Sequence, residues 1–114
     1  MKIDNKDQIA ILAGGIAKRL GNLTIKKPKS LLTFNNKPFI FYQINLLKKK
    51  GFKNILILIG HKGQQIKKTL RNYNFSNLNI EFSDEGNRRL GTGGALKKAT
   101  KKLFDNFFLI YGDT

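Results

Sequence analysis

Ile55-Leu56-Ile57-Leu58-Ile59 is apolar at every position. A strand with one wet face alternates apolar and polar residues, whereas an unbroken run of this length fits a strand covered on both faces. Such a strand needs helices above and below it, so this one segment points to an α/β chain with a parallel sheet. It forms the heart of a strand at Asn54–Ile59, second in chain order. Runs at Gln8–Leu12, 79–82 and 107–111 supply the first, third and fourth.

Between these runs, apolar residues recur at helical spacing. Phe39–Lys50 sets Ile40, Ile44 and Leu47 on one face, with Pro38 at the entry and Gly51 just past the end. Residues 62–73 repeat the spacing with Ile66, Leu70 and Tyr73; residues 94–104 do so with Leu96, Ala99 and Leu103, and Thr92 is a candidate cap. Strands alternating with helices predict a Rossmann-like, doubly wound, mainly parallel sheet. With strand order 3-2-1-4, the first and fourth strands lie side by side where the winding reverses. Ligands of such sheets bind outside the carboxyl ends at that point.

Those two strands run into the residues with most chemistry. Leu12-Ala13 leads into Gly14-Gly15, followed by Lys18, Arg19 and then Lys29. Glycines let backbone N–H groups approach a ligand closely, and with Lys and Arg nearby they make an anion site suited to a nucleoside triphosphate. The same residues also suit a tight strand-to-helix turn with surface cations. Neither G-x-x-x-x-G-K-[ST] nor G-x-G-x-x-G occurs, which removes the main support for kinase, GTPase and dehydrogenase readings. At the fourth strand, Tyr111-Gly112-Asp113-Thr114 delivers one carboxylate, a hard oxygen ligand suited to Mg²⁺ or, equally, a turn residue. Leu90-Gly91-Thr92-Gly93-Gly94 would let a nucleobase lie against backbone, or would serve as a loop and cap. His61 has no matching ligand set, and no Ser-His-Asp or Cys-His combination is present.

Composition adds limits. Lys and Arg total 22 against 7 Asp and Glu, a net charge of +15. That balance keeps a small basic nucleic-acid-binding module in view. Lysines spread along three helical patterns also read as solvated faces. Cysteine is absent, so no disulfide framework or thiolate metal site exists. The polar start lacks a signal-peptide core and no run approaches membrane-spanning length, giving the expectation of a cytoplasmic protein without membrane partners.

Taken in order, Leu12-Ala13-Gly14-Gly15-Ile16-Ala17-Lys18-Arg19-Leu20, Pro28-Lys29-Ser30, Asn36-Lys37-Pro38-Phe39, Gly60-His61-Lys62-Gly63, Leu90-Gly91-Thr92-Gly93-Gly94-Ala95-Leu96 and Tyr111-Gly112-Asp113 resemble the sugar-phosphate nucleotidyltransferases, or NDP-sugar pyrophosphorylases. Gly-Thr-Gly-Gly-Ala-Leu and Pro-Lys-Ser look most like the heptose 1-phosphate guanylyltransferase branch. The resemblance implies transfer of a nucleoside monophosphate from an NTP to a sugar 1-phosphate, with Mg²⁺. It implies GTP and a heptose or hexose 1-phosphate as substrates, and no nucleic-acid partner.

Carried onto this sequence, the resemblance makes Arg19 and Lys29 catalytic and Asp113 a metal ligand. Leu12, Ala13, Gly14, Gly15, Glu85, Gly91 and Thr92 would bind nucleotide. Ala17-Lys18 departs from the usual Gly-Thr before the arginine. The family's second metal carboxylate and most sugar contacts would come after Thr114. Residues 1–114 are therefore expected to be the N-terminal nucleotide-binding half of a single, truncated nucleotidyltransferase domain, inactive alone. Rival readings are a non-sugar acceptor such as phosphocholine, a molybdenum-cofactor guanylyltransferase, the nucleic-acid module and a nucleotide sensor without chemistry.

Overall fold

The computed structural model describes residues 6–13, 33–34, 37–60, 63–73, 75, 77–84 and 91–111. Among these, the strands are β1 (Gln8–Leu12), β2 (Thr33–Phe34), β3 (Lys37–Pro38), β4 (Asn54–Ile59), β5 (Asn79–Asp84) and β6 (Phe108–Tyr111). The helices are α1 (Phe39–Lys50), α2 (Gly63–Arg71) and α3 (Gly91–Lys98). β5, β4, β1 and β6 form one sheet in that order, parallel throughout. β2 and β3 form a separate antiparallel ribbon, pairing Thr33 with Pro38 and Phe34 with Lys37.

Side-chain alternation divides the core into two layers. On one face Ile9, Ile11, Ala13, Ile55, Ile57 and Ile59 pack against Ile40, Phe41, Ile44 and Leu47 of α1 and Ile66 and Leu70 of α2. On the other, Ala10, Leu56 and Leu58 pack against Ala95 and Ala99, with Leu12, Leu96, Leu103 and Phe107 around them. Both faces of β1 and β4 are thus dry, which is why neither strand alternates in sequence.

α1 ends as its sequence dictates. Gly51 takes the left-handed conformation at φ 106°, and its N–H and that of Phe52 bond to the carbonyls of Lys48 and Leu47 at 3.1 Å each. Gly63, at the start of α2, is fixed by close approach: a Cβ there would sit 2.7 Å from Cβ of Ile59.

The structure corrects three expectations at element ends. The third helix starts at Gly91, so Thr92 lies within its first turn instead of capping it, and the helix stops at Lys98 instead of reaching 104. The chain beyond Lys98 winds on through turns. Thr100 Oγ1 donates to the Lys97 carbonyl at 2.6 Å, a side-chain competitor of the helix ladder. Gln8 then holds this segment, donating from Nε2 to the Lys102 carbonyl and accepting from the Phe104 N–H at Oε1, both at 2.9 Å. Tyr73, expected on the second helix, lies beyond it, its ring 4.7 Å from that of Phe41 and 4.6 Å from that of Phe75.

Candidate functional site

The sheet has two unlike edges. At the amino ends of the strands lie the last turns of the helices, which carry Lys48, Lys49 and Lys50 in α1, Lys68 and Arg71 in α2, and Lys97 and Lys98 in α3. Cations there complement the negative ends of the helix dipoles. This placement gives much of the lysine excess a structural role, away from the glycine-bearing strand ends.

At the carboxyl ends of the strands lie Leu12 and Ala13, and several other expected site residues follow these ends in sequence. Leu12 stands in register with Leu58 of β4 on one side and Tyr111 of β6 on the other. The Ala13 N–H continues the ladder, donating to the Leu58 carbonyl at 2.9 Å. Ala13 is buried and Leu12 half-buried in the core, so their side chains are occupied by packing and that N–H by the sheet. Any ligand contact made by Leu12 or Ala13 would therefore fall to the backbone, not to the side chains. Gly14 and Gly15 follow Ala13 in sequence, and Gly112 and Asp113 follow Tyr111.

β5 ends at Asp84, in register with Ile59, and Glu85 comes next in sequence. Gln64 Nε2 of α2 donates to Asp84 Oδ2 at 2.9 Å. With β4 and β1 between them, β5 and β6 stand three strand spacings apart, about 14 Å. Asp84 is thus too distant to share a metal ion with the end of β6. Among the described residues, no group of three or more His, Cys, Asp or Glu side chains could hold a metal. A lone carboxylate still suits Mg²⁺, which is commonly held by one or two carboxylates together with substrate phosphates. Asp113 fits that donor chemistry.

Gly14, Gly15, Arg19, Lys29, Glu85 and Asp113 lie outside the described residues, as do Lys18 and His61. Gly91 and Thr92 fall in the first turn of α3. The structure therefore joins the ends of β1 and β6 directly, and sets the exit of β5 two strands from β1.

Two residues gain weight only from the structure. Gly93 is exposed in α3, and among the described residues outside its own helix a Cβ built on it meets no atom within 4 Å. Its φ is not positive, so neither backbone conformation nor crowding by the described residues demands glycine there. A ligand approaching the backbone would. Gly93→Ala is expected to stabilise the fold by about 0.5–1 kcal/mol, because alanine is the better helix former. It should also weaken nucleotide binding. Thermal denaturation and a GTP titration check both; unchanged GTP affinity would remove Gly93 from the site. The second residue is Gln43, whose side chain is 7 % exposed on the core face of α1 and donates from Nε2 to the Tyr111 carbonyl at 3.2 Å.

Comparison with known proteins agrees with this geometry. The chain is 37% identical over 105 residues to a D-glycero-alpha-D-manno-heptose 1-phosphate guanylyltransferase of Aneurinibacillus thermoaerophilus, covering 91% of this chain and 45% of that protein. It is 37% identical over 107 residues to a mannose-1-phosphate guanyltransferase of Yarrowia lipolytica, covering 90% and 29%. The crystal structure of HddC from Yersinia pseudotuberculosis complexed with GMP-PN superposes with a TM-score of 0.82 at 32% identity, covering 94% of this chain and 48% of that one. The chain thus spans about half or less of the length of these relatives. Residues 9–114 match the nucleotidyl transferase family. With its parallel sheet and helices on both faces, this chain belongs to that family.

Proposed function

We propose that this chain is the N-terminal, nucleotide-binding half of a sugar 1-phosphate guanylyltransferase domain. In the proposed reaction, a phosphate oxygen of a heptose or hexose 1-phosphate attacks the α-phosphorus of GTP in line. A new phosphoanhydride forms, the bond from the α-phosphorus to the bridging oxygen breaks, and pyrophosphate leaves with that oxygen. No covalent enzyme intermediate is needed, so the protein's task is positioning and charge neutralisation.

One observation carries the reading: Leu12 and Tyr111 are register partners on adjacent strands, so Gly14-Gly15 and Asp113 follow from neighbouring strand ends. That is the crevice where doubly wound sheets take ligands. In this reading the backbone of Leu12 to Gly15 cradles the nucleotide, Arg19 neutralises the departing pyrophosphate and Lys29 binds the reacting phosphates. Glu85, Gly91 and Thr92 lie along the base. Asp113 holds Mg²⁺, which supplies charge neutralisation on the phosphates. The named activities of the guanylyltransferase relatives favour guanine and a sugar phosphate over phosphocholine. Since those relatives are about twice as long as the matched region or longer, the second carboxylate and the sugar contacts are assigned to the other half. The 114-residue chain alone should bind NTP weakly and show no turnover. No helix among the described residues is long and apolar enough to cross a membrane, and a cytoplasmic location is part of the proposal.

The test is a thermal-shift panel of GTP, ATP, CTP and UTP with Mg²⁺, run beside an RNA oligonucleotide at two salt concentrations. GTP is expected to give the largest shift. RNA affinity that is strongly salt-dependent and far exceeds that for every Mg·NTP would replace this reading with the basic nucleic-acid module.

A further inference from the structure

Among the described residues the buried polar side chains are Gln8 and Gln43. They serve opposite ends of the sheet. Gln8, 2 % exposed at the amino end of β1, holds the turns after α3 through Lys102 and Phe104. Gln43 lies on the α1 stripe made by Ile40, Ile44 and Leu47, where an apolar side chain would pack without desolvating an amide. It crosses to the carboxyl edge and donates to the carbonyl of Tyr111, the last residue of β6.

The location gives that bond its meaning. Among the described residues β6 pairs with β1 along one side. It is four residues long, and its Leu109 and Tyr111 are exposed. A strand of four residues has few ladder bonds to keep its last residue in place, and in sequence Gly112 and Asp113 follow that residue. A hydrogen bond from a helix packed in the core restrains the strand just where a carboxylate must be held. Small misplacements at a reacting centre are costly, so such support matters more for a ligand-bearing strand end than for an ordinary one.

We infer that Gln43 is a positioning residue: by fixing the Tyr111 carbonyl it sets the direction in which β6 presents Asp113 to the metal–nucleotide complex. The inference rests on the proposed role of Asp113. It predicts that removing the amide donor weakens metal binding selectively, without comparable loss of nucleotide affinity or of fold.

The experiment titrates Mn²⁺, as a spectroscopic stand-in for Mg²⁺, into the protein with GTP present, read by electron spin resonance. Metal-free GTP binding and hydrogen exchange of the β6 peptide are measured in parallel. Gln43→Met keeps the side chain's length and loses the donor. It should weaken Mn²⁺ binding about tenfold, as losses of supporting contacts to metal ligands commonly do. Exchange at the end of β6 should quicken, and metal-free GTP affinity should stay within about twofold.

If Gln43→Met does not fold, Gln43→Asn carries the same comparison, its amide one methylene shorter. Gln8→Met controls for loss of a buried glutamine at the other edge and should leave Mn²⁺ affinity unchanged. Wild-type Mn²⁺ affinity in the Gln43 variant, or parallel loss of Mn²⁺ and GTP binding, overturns the inference. Asp113→Asn separates the two levels: if it loses Mn²⁺ while the Gln43 variant does not, only the Gln43 role fails. If Asp113→Asn binds Mn²⁺ like wild type, the metal role of Asp113 fails and the Gln43 inference with it.

Discussion

Arg19→Ala is expected to lower nucleotidyl transfer by the complete domain about 100- to 1,000-fold, a loss of roughly 3–4 kcal/mol of transition-state stabilisation. In the proposed reaction, charge builds on the departing pyrophosphate as the bond to the α-phosphorus breaks. A guanidinium offers two parallel N–H donors to it, and in a site that excludes water each is worth more than in solution. Because this charge is largest in the transition state, the loss should fall on kcat more than on KM for GTP. Arg19→Lys should recover part of the rate, since an ammonium supplies the charge without the planar fork. Steady-state kinetics of pyrophosphate release decide the matter. A loss below tenfold would remove Arg19 from the catalytic set and shift attention to its neighbour Lys18, the cation standing where the family commonly has a hydroxyl.

Ile57→Ala should be the most damaging of the simple core truncations. Ile57 is fully buried in β4, in register with Ile11 of β1 on one side and Phe82 of β5 on the other. Removing its outer carbons costs their transfer free energy and leaves a cavity that neighbouring strands cannot close, about 2–5 kcal/mol in comparable cases. Small domains have total stabilities of about 5–15 kcal/mol, so the variant should be partly unfolded under mild denaturant. Leu109→Ala, on the exposed side of β6, should cost under about 1 kcal/mol. Urea denaturation checks the pair: the midpoint should fall sharply for Ile57→Ala at unchanged slope, and little for Leu109→Ala. Equal midpoints would contradict a two-faced core centred on β4.

The contrast between these variants also shows where the sequence was readable. β1, β4 and α1 have the bounds their patterns predict, because the information is local. An unbroken apolar run, Pro38 before a helix and Gly51 after it each act within a few residues. The third helix was misjudged because its apolar spacing continues to Leu103 while the chain does not stay helical. Ala99 and Leu103 do pack in the core, but from turns, and Gln8, distant in sequence, takes up Lys102 and Phe104. The β2–β3 ribbon was missed because strands of two residues carry no period to detect.

For the site, Gly14-Gly15 and Asp113 could be singled out because glycines before cations, and a carboxylate after an apolar run, are visible in a linear text. Gly93 stood out only as one of the glycines after Leu90, and Gln43 not at all. A glycine is suspicious only once space and φ are known not to require it, and a glutamine beside Ile44 reads as helix surface until its partner is seen. By itself the sequence determined the types of the four sheet strands and three helices, the two dry faces of the central strands and the chemistry available at their ends. Only the tertiary structure decided that β1 and β6 are neighbours and that α1 reaches across to hold β6. Strand pairing and buried hydrogen bonds join residues far apart in the chain, and no local pattern records which distant group will be there.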